Sequence, residues 1–155
     1  GDILLSIEPV ESPPPAMDLS QWQSLDHHDI NCHEYHPNPH LLSTGSTLIH
    51  EKLYSNLLKS NCPVTGQPDW ASIMIEYSGN NINHAQLLRY IVSFRNHNEF
   101  HEHCVEQIFL DISRQCTPNT LSVYARYTRR GGLDINPYRS SHSDSPPPQG
   151  RVSRQ

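Results

Sequence analysis

An α+β fold, with two helices on one face of an antiparallel sheet in the order ββααββ, is what three features of this chain predict. An alternating run, Trp70 to Tyr77, follows a second candidate strand across a turn rich in Pro and Gly. Two amphipathic stripes come next. A last alternating run, Leu121 to Tyr127, then leads into Arg129-Arg130-Gly131-Gly132.

The first element of this core, Thr47 to Lys59, reads two ways. Ile49, Leu53 and Leu57 fit a helical spacing, whereas Leu53, Ser55 and Leu57 against Tyr54, Asn56 and Leu58 would line a sheet. In Trp70 to Tyr77, Ala71, Ile73 and Ile75 alternate with Ser72, Met74 and Glu76, and Ser78-Gly79-Asn80-Asn81 is expected to end the strand. If Thr47 to Lys59 is a strand, the two form a hairpin closed by the turn at Cys62. Asn83 is a suitable N-cap for a helix with Leu87, Leu88, Ile91 and Phe94 on its apolar side. Asn96-His97-Asn98-Glu99 resembles a capping box for a second helix that buries Phe100, Cys104, Val105, Ile108, Phe109 and Ile112, with His101 and Glu102 in its first turn. Leu133 to Tyr138 is the expected partner of the closing strand.

Outside this core the chain is irregular. The 13 prolines crowd into Pro9 to Pro15, Pro37 to Pro39 and Pro146 to Pro148, which leaves residues 46–141 as the expected domain. Residues 1–10 alternate as one short strand with no hairpin partner nearby. Residues 11–45, rich in Pro and His, read as a linker or irregular wrapping, and residues 142–155 as a loose tail. A formal net charge of −5 argues against nucleic acid as the main partner, since phosphate neutralisation needs a basic face. No apolar run approaches the roughly 20 residues of a membrane span. The start shows no signal pattern, and the four cysteines have no close spacing. A cytoplasmic protein with reduced thiols and no membrane partner is expected.

The chemistry gathers at Asn61-Cys62-Pro63-Val64-Thr65-Gly66-Gln67-Pro68-Asp69-Trp70. Pro and Gly make a stiff turn that could bring the Cys62 thiol and the Asp69 carboxylate together. A thiol with an ordinary pKa of roughly 8.5 is mostly protonated near neutrality, so a nucleophilic cysteine needs a proton acceptor, and Asp69 is the candidate. The same residues also suit a small core side chain and a turn carboxylate. A metal site is a further possibility, with His97, His101 and Cys104 on one helical face and Cys62 as a fourth zinc ligand, although His101-Glu102-His103 is not an H-E-x-x-H motif. The linker histidines His27, His28, His33, His36 and His40 read as a solvated loop. Arg129-Arg130-Gly131-Gly132 suits either a phosphorylated ligand or a plain hairpin turn.

Three stretches carry a resemblance: LLKSNCPVTGQPDW from Leu57 to Trp70, SFRNHNEFHE from Ser93 to Glu102, and YARYTRRGGLDINP from Tyr124 to Pro137. In order and spacing they closely resemble the C-terminal half of the long-form QueF family, the NADPH-dependent 7-cyano-7-deazaguanine reductases (nitrile reductases) of queuosine biosynthesis. The resemblance covers about the last two thirds of the chain. It implies a tunnelling fold (T-fold) and makes Thr47 to Lys59 a strand. It also implies that Cys62 attacks the nitrile carbon to give a covalent thioimide, with Asp69 as general acid/base, and that two NADPH-dependent reductions yield the primary amine. By the same carry-over His101 and Glu102 bind the substrate, Arg130 and Gly131 contact NADPH, and no metal takes part. The full-length protein would be a homo-oligomer, at least a dimer, acting on a small molecule. The family's first half carries a Glu-Ser-Lys motif that this chain lacks, so residues 1–10 look like the last strand of a missing half and the chain like a fragment. Two alternatives stay open at this point: a zinc-dependent GTP cyclohydrolase-like enzyme of the same fold, and a non-catalytic purine- or pterin-binding module.

Overall fold

The computed structural model describes residues 16–143, 150–152 and 155. The strand expected over residues 1–10 lies outside them. One five-stranded sheet runs in chain order: β1 (Gln23–Ser24), β2 (Thr44–Asn61), β3 (Pro68–Ile82), β4 (Thr120–Tyr127) and β5 (Tyr138–Ser140). Its pairings are antiparallel except at the β1 edge, which runs parallel to Leu53 and Tyr54. Helices α1 (His84–Val92) and α2 (His101–Cys116) connect β3 to β4. The expected ββααββ core is present, with β1 added in front of it.

Parity along the strands decides what faces the helices. Ala71, Ile73, Ile75 and Tyr77 of β3 pair with Tyr127, Ala125, Val123 and Leu121 of β4, and all eight are buried in one core. Leu87, Leu88 and Ile91 of α1 and Cys104, Val105, Ile108, Phe109 and Ile112 of α2 close over them. Asp69 has the same parity as these core residues and therefore lies on the helix face.

In β2 the parity changes partway. Glu51, Leu53 and Ser55 oppose Tyr77, Ile75 and Ile73, but after an irregularity between Ser55 and Leu58 it is Leu58 and Ser60 that oppose Ala71 and Asp69. This bulge carries even-numbered residues onto the helix face as the strand approaches Cys62. Its freed groups are met from the preceding segment. Asp26 accepts hydrogen bonds from Ser55 Oγ at 2.6 Å and from the Asn56 N–H at 2.8 Å. Residues 16–43 thus wrap the domain, with Leu25 fully buried and Ile30 and Cys32 packed against the core.

Four local expectations are corrected. The Ser78–Asn81 stretch does not end β3, which continues to Ile82. Gly79 there lets Pro118 and Asn119 come close, since a Cβ at Gly79 would stand 3.0 Å from Pro118 Cα, and the Asn119 N–H reaches Ser78 O at 2.7 Å. The capping box at Asn96–Glu99 does not form. Ser93–Asn96 is a 3-10 turn, and α2 starts at His101 with Phe100 as its N-cap residue and no side-chain cap. Phe100 is consequently 49% exposed instead of buried. Leu133 to Tyr138 is only in part the partner strand: the Ile135 and Pro137 carbonyls accept from the Tyr127 and Ala125 N–H groups at 3.3 and 3.0 Å, but Pro137 has no N–H to return and the regular ladder with β4 begins at Tyr138.

Candidate active site

The β2–β3 turn holds Cys62 by its backbone. Its N–H donates to Gln67 O and its carbonyl accepts from the Gly66 N–H, both at 2.9 Å, with Gly66 at φ 69°. Inside this loop the Thr65 hydroxyl, the Thr65 N–H and the Val64 N–H lie beside the Cys62 thiol. Together with the nearby Arg130 guanidinium they hold the thiol below its ordinary range. Burial pushes Cys104 and Cys116 the other way, to about 11 each. Thr65 is a residue that sequence reasoning missed. A hydroxyl three positions after a cysteine in a tight turn was the available signal. Thr65→Val should move the alkylation profile of Cys62 to higher pH and slow iodoacetamide several-fold near neutrality, because the side-chain donor is lost while the amides remain; peptide mass spectrometry on a pH series reads this.

Asp69 opens β3 opposite Ser60 and is 4% exposed. Two nitrogen-bearing side chains reach it from different elements. Arg130 directs Nε and Nη2 at Asp69 Oδ1, at 2.7 and 2.6 Å. His101 Nε2, from the first turn of α2, lies 3.1 Å from Oδ2 but out of line for a hydrogen bond. Tyr127 stacks on the His101 ring with centroids 4.0 Å apart, which fixes the imidazole plane. A buried carboxylate needs such partners, since an unpaired charge there would be strongly penalised.

A second tie joins the cysteine turn to the start of α2. Asn61 N–H donates to His97 O at 2.8 Å and Asn61 O accepts from the Glu99 N–H at 3.1 Å. Lys59 Nζ bonds both Asn61 Oδ1 and Arg95 O. Nucleophile turn and helix start are therefore positioned relative to each other by main-chain bonds.

Six residues were expected at the site. The structure brings Cys62, Asp69, His101 and Arg130 around the mouth of one hairpin. Glu102 sits beside His101, exposed, with no hydrogen bond or ion pair to the other described residues. Gly131 is also exposed. Gly131 and Gly132 take φ of 55° and 82°, with no heavy atom within 4 Å of where a Cβ would stand, so a phosphorylated group has room to approach the backbone beside Arg130. The zinc set considered from sequence is not assembled. His97 lies ahead of α2 and not on its face, Cys104 is buried, and among the described residues no three His, Cys, Asp or Glu side chains converge to hold a metal ion. Among the same residues no helix is long and apolar enough to cross a membrane.

The chain is 61% identical over 134 residues to an "NADPH-dependent 7-cyano-7-deazaguanine reductase" of Polaromonas naphthalenivorans, a match covering 85% of this chain and 48% of that protein. The proteins of that name from Coxiella burnetii (strain Dugway 5J108-111) and Dechloromonas aromatica are 65% and 55% identical over 118 and 155 residues. Those matches take in 76% and 99% of this chain and 42% and 55% of the relatives. The chain thus spans about half the length of the curated relatives it matches. Among solved structures, the apo form of the archaeosine synthase QueF-Like superposes with a TM-score of 0.54 at 16% identity, covering 65% of this chain and 99% of that one. That likeness establishes the tunnelling fold. The family model described as "QueF-like protein" matches residues 68–146, just over half of the chain, from Asp69 through the Arg130 loop, and the chain belongs to that family.

Proposed function

We propose that this chain is the nucleophile-bearing half of an NADPH-dependent 7-cyano-7-deazaguanine reductase. The observation that carries the reading is a thiol held toward its ionised form by Thr65 and Val64, at the mouth of the hairpin that also holds a buried, doubly partnered carboxylate. A lowered thiol suits attack on an electrophilic carbon, and a carboxylate in this position suits moving the protons.

In the first step Cys62 Sγ bonds the nitrile carbon, one carbon–nitrogen π bond opens, and the nitrogen takes the proton that the thiol has given up. Asp69 is the group that transfers it. The product is a thioimide that retains every atom of the substrate. Glu102, exposed at the start of α2, accepts hydrogen bonds from the amino and N–H edge of the guanine-like base. His101, fixed by Tyr127, lies between that base and Asp69. NADPH, when bound, supplies hydride to the reacting carbon. Arg130 and the open backbone at Gly131 are this chain's groups for its phosphates. The carbon–sulfur bond breaks between the two reductions, and Cys62 leaves as the thiolate that its turn stabilises.

On this reading residues 46–141 are the catalytic domain and residues 11–45 the linker that leads into it. The enzyme is cytoplasmic, takes a free small molecule and not nucleic acid, and works as a homo-oligomer of the full-length protein. Incubation of this chain with 7-cyano-7-deazaguanine alone, followed by denaturing mass spectrometry, should give a mass gain of one substrate molecule on the peptide containing Cys62. Binding of the nitrile without any mass gain would instead favour a non-catalytic purine-binding module.

A further inference from the structure

Arg130 does two things that cannot be done at once. The proposed function gives its guanidinium to the cofactor's phosphates, and the inference below rests on that reading. Yet in the unliganded site both nitrogens of one guanidinium edge are engaged: Nε donates to Asp69 Oδ1, while Nη2 lies 2.6 Å from the same oxygen and donates to Gln67 O at 3.4 Å. That edge is also the one that would grip a phosphate in a forked geometry. The two partners differ in freedom. The Asp69 side chain is 6% exposed and anchored in β3, whereas that of Arg130 is 28% exposed and precedes two glycines in the left-handed region. If one of them moves, it is the arginine.

We propose that Arg130 is a two-position group that couples cofactor binding to the chemistry of the site: it holds Asp69 and the Cys62 turn while the site is empty, and it turns to the cofactor's phosphate when that phosphate arrives. A phosphate with more than one negative charge competes well for a guanidinium against a single carboxylate. The ionisable groups that meet Asp69 are then His101 and Cys104 from α2 and Tyr127 from β4. Tyr127 and Cys104 are buried and bring no positive charge, so among the described residues His101 remains as the ring nitrogen beside the carboxylate. The carboxylate that handles the reaction's protons and the Cys62 turn thereby lose a guanidinium when the cofactor's phosphate arrives, and regain it when the phosphate leaves.

Cys62 reports the position of Arg130, because the guanidinium contributes to lowering its thiol. The probe is 2′-phospho-ADP-ribose, which has the cofactor's phosphates without its nicotinamide. The measurement is the pH profile of Cys62 alkylation by iodoacetamide, with and without saturating probe, in the wild-type chain, Arg130→Gln and Arg130→Lys. With probe, the wild-type midpoint should rise to that of unliganded Arg130→Gln, and the Gln variant's own midpoint should stay where it is. Shielding by the probe lowers the plateau rate and leaves the midpoint alone. Arg130→Lys should keep a near wild-type midpoint without probe, so a misfolded Gln variant is not mistaken for a charge effect. Calorimetric binding of the probe with an unmoved wild-type midpoint overturns the switch and leaves the proposed function standing. An equal shift in wild type and Arg130→Gln also overturns it, since phosphate charge alone would then be acting. No binding at all removes the cofactor assignment of Arg130, and the switch with it.

Discussion

Replacing Cys62 by alanine should abolish covalent capture of the nitrile while leaving the fold in place. The side chain is half-buried at a turn, so truncation removes little packing, and a stability change within about 1 kcal/mol is expected for such a site. The turn is closed by backbone bonds to Gln67 and Gly66 that alanine keeps. Chemically the loss is complete, because no other thiol can take over. Cys104 and Cys116 are buried with thiols pushed up to about 11, and Cys32 belongs to the wrapping segment, packed against the core. Cys62→Ser tests the same point more narrowly, since a hydroxyl in the same nest of donors is far less ionised and should give no adduct on the time scale of the wild type. An adduct of unchanged mass and rate in Cys62→Ala, mapped to another peptide, would place the nucleophile elsewhere.

How legible the site was from sequence depends on which interactions are local. The Cys62 turn was readable because Pro63, Gly66 and Pro68 act within a few residues. The first helix was readable because Asn83 caps it directly, its side chain accepting from the Gln86 N–H at 3.0 Å. The second helix was read one turn too early: Asn96 and Glu99 look like a capping box, but Ser93–Asn96 tightens into a 3-10 turn and the chain is extended at Phe100. The meeting of Asp69 with His101 and Arg130 lies beyond local reading. It depends on Asp69 sharing parity with Ala71 and Ile73, on Tyr127 lying opposite Ala71, and on the Arg130 loop folding back after β4. Least visible is Asp26, whose carboxylate satisfies the β2 bulge from 29 residues away in a stretch that composition marks as irregular. That bulge decides which β2 side chains face the helices next to Cys62.

Asp69→Asn should slow thioimide formation by about 10²–10⁴-fold, the usual loss when a positioned proton-transfer group is removed. Asparagine fills the same space and its carbonyl still accepts from Arg130, so the β3 start and the Arg130 loop keep their shape. The amide has no proton that it can give to the nitrile nitrogen and regain from the thiol. Attack by sulfur would then build negative charge on nitrogen with no acid to quench it. Iodoacetamide separates this effect from a positional one, because alkylation needs the thiolate and expels iodide without protonating anything. The donors that hold the Cys62 thiol are first those of Thr65 and Val64, which the variant leaves untouched. Alkylation of Asp69→Asn should therefore stay within a few-fold of the wild type while capture of 7-cyano-7-deazaguanine collapses. Equal losses in both reactions would mean that Asp69 acts by holding the turn, and no loss in either would remove it from the proton path. The difference between the two rates, followed by mass spectrometry on the same protein sample, isolates what the carboxylate contributes as an acid.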